Sequence, residues 1–106
     1  MPRLIEPPGM PEEVSRAIET IGNRARIEIL RSLALHGPLT LTELADDLDV
    51  RRTTAQRHLA ALEQQGLVRG DIPADERWRR VAVRWSIVDD AVDTTFSALR
   101  DYVTGR

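Results

Sequence analysis

The sequence contains no cysteine and no lysine. The first absence removes disulfides, thiolate metal sites and a cysteine nucleophile, and leaves the redox compartment open. The second makes all fifteen basic side chains arginine. A GC-rich coding sequence accounts for that bias without a functional role, although arginine is well suited to fork onto phosphate or guanine. No apolar run approaches the ~20 residues needed to span a bilayer. The opening MPRLIEPPGMP has too short an apolar stretch and too many prolines for a secretory signal. The expected location is therefore the cytoplasm, with no membrane partner. A glycine-rich phosphate loop is missing, as are a Ser/His/Asp arrangement in recognisable context and a cluster of metal ligands. The chain reads as a non-enzyme that needs no cofactor.

What is present is enough for one small domain: 106 residues, 42% apolar and 30% charged. A domain of this size buries a limited core, so helices outside it can be completed by a partner subunit. The net charge of −2 is a poor guide to partners, because the charges are segregated. Residues 51–84 hold eight arginines against four acids, whereas the remainder holds seven arginines against thirteen acids. The middle of the chain is basic and its flanks are acidic.

Residues 38–69, PLTLTELADDLDVRRTTAQRHLAALEQQGLVR, concentrate the information. They read as two short helices joined by a tight turn, then the start of a strand. Thr40-Leu41-Thr42-Glu43 has the spacing of a capping box. Leu41, Leu44, Ala45 and Leu48 bury one side of the helix it opens, and Asp49-Val50 makes the turn. The next helix runs from about Arg52 to Gln65 and stops at Gly66. Its inward face is Ala55, Leu59 and Leu62, which leaves Thr53, Gln56, Arg57, Ala60 and Gln64 outward. This is the layout of a helix-turn-helix whose second helix can enter a DNA major groove.

The rest of the chain frames that unit. Pro2, Pro7, Pro8, Gly9 and Pro11 mark residues 1–11 as an extended arm. Val14, Ala17, Ile18 and Ile21 fall at helical spacing. Asn23 can cap a second helix with a buried stripe of Ile27, Leu30, Leu33 and Ala34, ended by Gly37-Pro38. Leu67 to Ile72 reads as a strand and Pro73-Ala74-Asp75-Glu76 as a turn. Val81, Val83 and Trp85 alternate with Arg80, Ala82, Arg84 and Ser86 as in a strand with one wet face, and Trp85 is expected in the core. Asp89 or Asp90 can cap a last helix with Val92, Phe96, Leu99, Tyr102 and Val103 along one stripe. The expected fold is mainly α with a small β-hairpin, in the order α-α-α-α-β-β-α.

That order, together with TTAQRHLAALEQQGLV (53–68), resembles the winged helix-turn-helix transcription regulators. Their common segment reads STVSRHLxxLxxxGLV. The opening RARIEILRSLALHGPLTLTELADDL (24–48) makes the chain most similar to the ArsR-type group, over roughly residues 13–103. Two departures stand out: Arg51 sits where the family usually has a serine-type helix cap, and Gln56 replaces a common serine. The resemblance implies a winged domain over 12–104 that binds a pseudo-palindromic double-stranded operator as a homodimer and represses by occlusion.

The expected DNA-reading set is Arg51, Arg52, Thr53, Thr54, Gln56 and Arg57. Arginine and glutamine can fork onto guanine and adenine, and threonine can meet a phosphate or a thymine methyl. His58 is read as a structural hydrogen-bonding residue ahead of a phosphate contact. Arg77, Arg79 and Arg80 flank the hairpin tip and are expected to grip phosphate or reach a minor groove, against the opposing Asp75 and Glu76. Trp78 either packs on the hairpin or touches sugar. The interface candidates are Val14, Ile18 and Ile21 with Phe96, Leu99 and Val103. The family's metal sensing is not expected, because its cysteines are absent and no histidine accompanies Asp89, Asp90, Asp93 and Asp101. Two other readings stay open: a winged-helix protein-interaction module that docks through its acidic outer helices, and an architectural or recombination accessory protein.

Overall fold

A computed structural model describes residues 9–79 and 82–106. Most of the expected N-terminal arm, and Arg80 and Val81, lie outside these residues. The order is α1 (Glu12–Ile21), α2 (Arg24–His36), β1 (Leu39–Thr40), α3 (Leu41–Leu48), α4 (Arg52–Gln64), β2 (Val68–Gly70), a 3-10 helix (Ala74–Arg79), β3 (Arg84–Ile87) and α5 (Asp89–Val103).

Local signals explain most boundaries. Asn23 caps α2 by accepting from the Arg26 amide, and Gly37 ends it at φ 75° and ψ −158°, a conformation open essentially to glycine alone. Thr40 and Glu43 form the expected capping box: the Thr40 hydroxyl accepts from the Glu43 amide at 3.2 Å and the Glu43 carboxylate from the Thr40 amide at 2.9 Å. Asp49 closes α3 in the left-handed region, at φ 53°, which aspartate tolerates better than most side chains.

The core joins α2, α3, α4 and the sheet through Ile29, Leu30, Leu33, Leu44, Leu59, Leu62, Leu67, Val68 and Trp85. The buried stripe of α2 is rotated from the expected one. Ile29 is buried, Ile27 only half-buried and Ala34 exposed. Ser32, also buried, donates to Asp47 at 2.6 Å and ties α2 to the end of α3.

The sheet has three antiparallel strands in the order β1-β3-β2, not the expected hairpin alone. Leu39 and Thr40 pair with Trp85 and Arg84, and Val68, Arg69 and Gly70 with Ile87, Ser86 and Trp85. The strands are shorter than expected. Beyond Gly70 the chain turns at Pro73 into the 3-10 helix, where the Glu76 amide donates to the Pro73 carbonyl. That helix replaces the turn expected at residues 73–76.

Helix α1 packs against α5. Val14, Ala17 and Thr20 are the buried face of α1, and α5 has no fully buried residue. Val88, not Asp89 or Asp90, occupies the α5 cap position, and no side chain caps it. The two aspartates lie in the first turn, where the helix dipole favours them.

Candidate nucleic-acid interface

Helix α4 is set by its buried side. Ala55, Leu59 and Leu62 are almost completely enclosed, so 3.6-residue periodicity turns Arg52, Thr53, Gln56, Arg57, Ala60 and Gln64 outward. The exposed face is the one expected from the apolar spacing. Thr54 departs from the rest of the set: it is half-buried, on the flank facing α2 and α3.

The start of α4 has an unusual end. Arg51 holds the cap position in an extended conformation, and its side chain makes no capping hydrogen bond. The first-turn amides therefore carry no side-chain acceptor from that position. Those amides and the positive end of the helix dipole lie next to Arg51 and Arg52, which are both exposed. Among the described residues, Arg51, Arg52 and Arg57 take part in no ion pair.

His58 sits under this face, 8% exposed. Burial, then the positive charges of Arg26 and Arg57, lower its pKa from the usual histidine value. The neutral ring accepts a long hydrogen bond at its Nδ1 from the Arg26 Nε–H, 3.5 Å away. It thus links α4 to α2, as the structural reading of His58 anticipates. At the other end of α4, the buried Thr20 hydroxyl donates to the Gln65 side-chain oxygen at 2.9 Å, which ties α1 to the same scaffold.

Of the three wing arginines, the structure describes the side-chain contacts of Arg77. Arg77 is turned inward onto Glu63 of α4, with Nη2 to Oε2 at 2.7 Å and Nη1 to Oε1 at 3.1 Å. Arg79 ends the 3-10 helix, and Arg80 lies outside the described residues. Trp78 is largely exposed and Trp85 buried. Arg84 is exposed and lies 3.6 Å from Glu43. Sequence spacing gives no sign of the Arg77–Glu63 pair, because fourteen residues and a turn of unforeseen shape separate its members.

The interface candidates also divide. Val14 is 1% exposed and already enclosed within one chain, so it is withdrawn from the candidate interface. Phe96 and Leu99 are half-buried. Ile18, Ile21, Tyr102 and Val103 are exposed on α1 and α5.

Residues 21–71 match a family model described as a helix-turn-helix domain. No curated protein matches the sequence. Among solved structures, an ArsR-like transcriptional regulator from Rhodococcus sp. RHA1 superposes with a TM-score of 0.68 at 22% identity, over 88% of this chain and 81% of that one. The homodimeric winged helix-turn-helix DNA-binding domain of a possible ArsR-family regulator from Mycobacterium bovis gives 0.63 at 25% identity, over 89% and 80%. The transcriptional repressor BigR from Xylella fastidiosa gives 0.61 at 16% identity, over 80% and 81%.

Proposed function

Starting from a chain with a winged helix-turn-helix fold similar to those of ArsR-type regulators, we propose that it is a sequence-specific double-stranded DNA-binding transcription regulator, acting as a homodimeric repressor by operator occlusion. The observation that carries this reading is the exposed face of α4. Arg52, Thr53, Gln56 and Arg57, preceded by Arg51 in the turn, present forked donors, an amide and a hydroxyl from the first turns of one helix. These are the groups that read base edges and hold phosphates in a major groove. They stand on a rigid base, because the opposite side of α4 is locked into the core.

Dimerisation through α1 and α5 would bury Ile18, Ile21, Tyr102 and Val103, which one chain leaves in water. The solved neighbour from Mycobacterium bovis is homodimeric. A two-fold pair of α4 helices reads two half-sites about one helical turn, or roughly 34–36 Å, apart. A pseudo-palindrome overlapping a promoter would then be closed to polymerase.

The test is fluorescence anisotropy of the protein on the DNA upstream of its own gene and on an unrelated duplex, each at two salt concentrations. The expected result is salt-sensitive binding that prefers the upstream DNA by roughly a thousandfold or more. Weak and equal binding to both duplexes would overturn specific regulation and favour the protein-interaction reading.

A further inference from the structure

The side chain that ties the wing to the rest of the molecule is Arg77. Its guanidinium is used on every side. Both Nη groups fork onto the Glu63 carboxylate of α4. Its Nε–H donates to the Ile72 carbonyl at 3.0 Å. Its Cζ lies over the ring of Trp85 in β3, 4.8 Å from the centroid. The carboxylate holds the arginine pKa above its ordinary value, and the arginine holds that of Glu63 below the carboxylate value. One side chain thus bridges the recognition helix, the turn after β2 and the strand β3. Gly70 belongs to the same assembly: a Cβ there would lie 2.7 Å from Arg77 Nη2 and 2.7 Å from Val83 Cγ1.

We infer that Arg77 is a positioning residue, which fixes the wing relative to the recognition helix and so sets where the wing meets DNA, and that it is not itself a phosphate contact. The inference rests on the DNA-binding reading for its consequence. An arginine aimed at a phosphate leaves its fork open to solvent, whereas this fork is already filled by a carboxylate. Glu63 acts with it. A carboxylate near a DNA-facing surface opposes binding by charge alone, so the presence of Glu63 on α4 is explained by what it holds.

The experiment uses the full chain with Glu63→Gln, Arg77→Lys, the double variant and Gly70→Ala. Lysine keeps the charge of Arg77 but cannot fork onto the carboxylate or lie flat on the indole. Glu63→Gln removes a negative charge, which by electrostatics alone would tighten DNA binding. If Arg77 positions the wing, each single variant weakens operator binding on the order of tenfold, and the double variant is no worse than either, as coupled contacts require. Hydroxyl-radical footprints then lose protection where the wing meets DNA and keep it in the major groove. Tighter binding by Glu63→Gln with Arg77→Lys unchanged would overturn the proposal and return Arg77 to phosphate. Amide hydrogen exchange over residues 68–88 tests the strut without DNA. Faster exchange in Glu63→Gln and Arg77→Lys, with the amides of α4 unchanged, supports it, and unchanged exchange overturns it. If the wild-type chain binds no duplex while the two variants show this exchange pattern, the regulator reading is refuted and the strut stands.

Discussion

At the scale of single residues, the start of α4 exchanges helix stability for charge. Serine, threonine, aspartate or asparagine at the cap position would satisfy one of the open first-turn amides, but the Arg51 side chain cannot accept a hydrogen bond. Arg51→Asn should therefore stabilise the protein by about 1 kcal/mol, visible as a higher melting temperature, while weakening DNA binding through the lost cation. A variant that is both more stable and tighter-binding would remove Arg51 from the interface. Arg57, exposed nearly two turns further along, should behave differently from a base-reading side chain if it holds phosphate. Arg57→Ala is expected to weaken binding on all sequences and to lower the salt slope by about one unit. Anisotropy titrations at several salt concentrations measure both quantities. The outward residues of α4 were legible because the apolar positions Ala55, Leu59 and Leu62 set the helix rotation by themselves. The commitment of Arg77 was not, because it depends on where a 3-10 helix brings residue 77 relative to residue 63.

At the scale of elements, signals contained within one turn were readable and those shared between distant segments were not. The capping box of Thr40 and Glu43 spans four residues, and it starts α3 as its spacing requires. Strand β1 is two residues long and exists only because Trp85 and Arg84 lie beside it, so no periodicity of its own could announce it. The rotation of α2 has a similar cause: the packing of Ile29 and the hydrogen bond from Ser32 to Asp47 are tertiary choices. Thr40 consequently serves two elements, as the cap of α3 and as a member of the sheet. Thr40→Ala should cost about 1 kcal/mol through the cap, read by thermal or chemical denaturation. The Thr40 amide and hydroxyl also hold the Glu43 carboxyl below its ordinary pKa. A carboxylate with a lowered folded pKa contributes stability above its unfolded pKa and loses it as the pH falls through the folded one. Alanine keeps the backbone donor to Glu43 and loses only the hydroxyl, so the part of the Thr40→Ala deficit that comes from the hydroxyl's hold on Glu43 should shrink on acidification below the usual carboxylate range; a deficit independent of pH would show that the hydroxyl does not act on the carboxylate.

At the scale of the whole molecule, the outer helices are acidic and the centre basic, and the proposed function gives them separate tasks. Helices α1 and α5 pack on each other, yet one chain leaves Ile18 at 47%, Ile21 at 52% and Val103 at 74% exposure. Isolated apolar side chains on a surface need no explanation, but several along two adjoining helices form a patch that a second copy can cover. Burying an isoleucine is worth about 1.5–3 kcal/mol relative to leaving it in water, so two such residues from each subunit contribute substantially to association. Ile18→Glu combined with Ile21→Glu should give a folded monomer by analytical ultracentrifugation, because neither side chain belongs to the enclosed core. The same variant separates assembly from recognition. Its affinity for a duplex with two half-sites should fall steeply, because linking two recognition helices raises the effective concentration of the second. Its affinity for a duplex carrying one half-site should match that of a wild-type subunit. If the variant remains a dimer, the two-fold axis passes through another surface. If it is monomeric and still binds both duplexes like the wild type, the second recognition helix adds nothing and operator symmetry is not read by this protein.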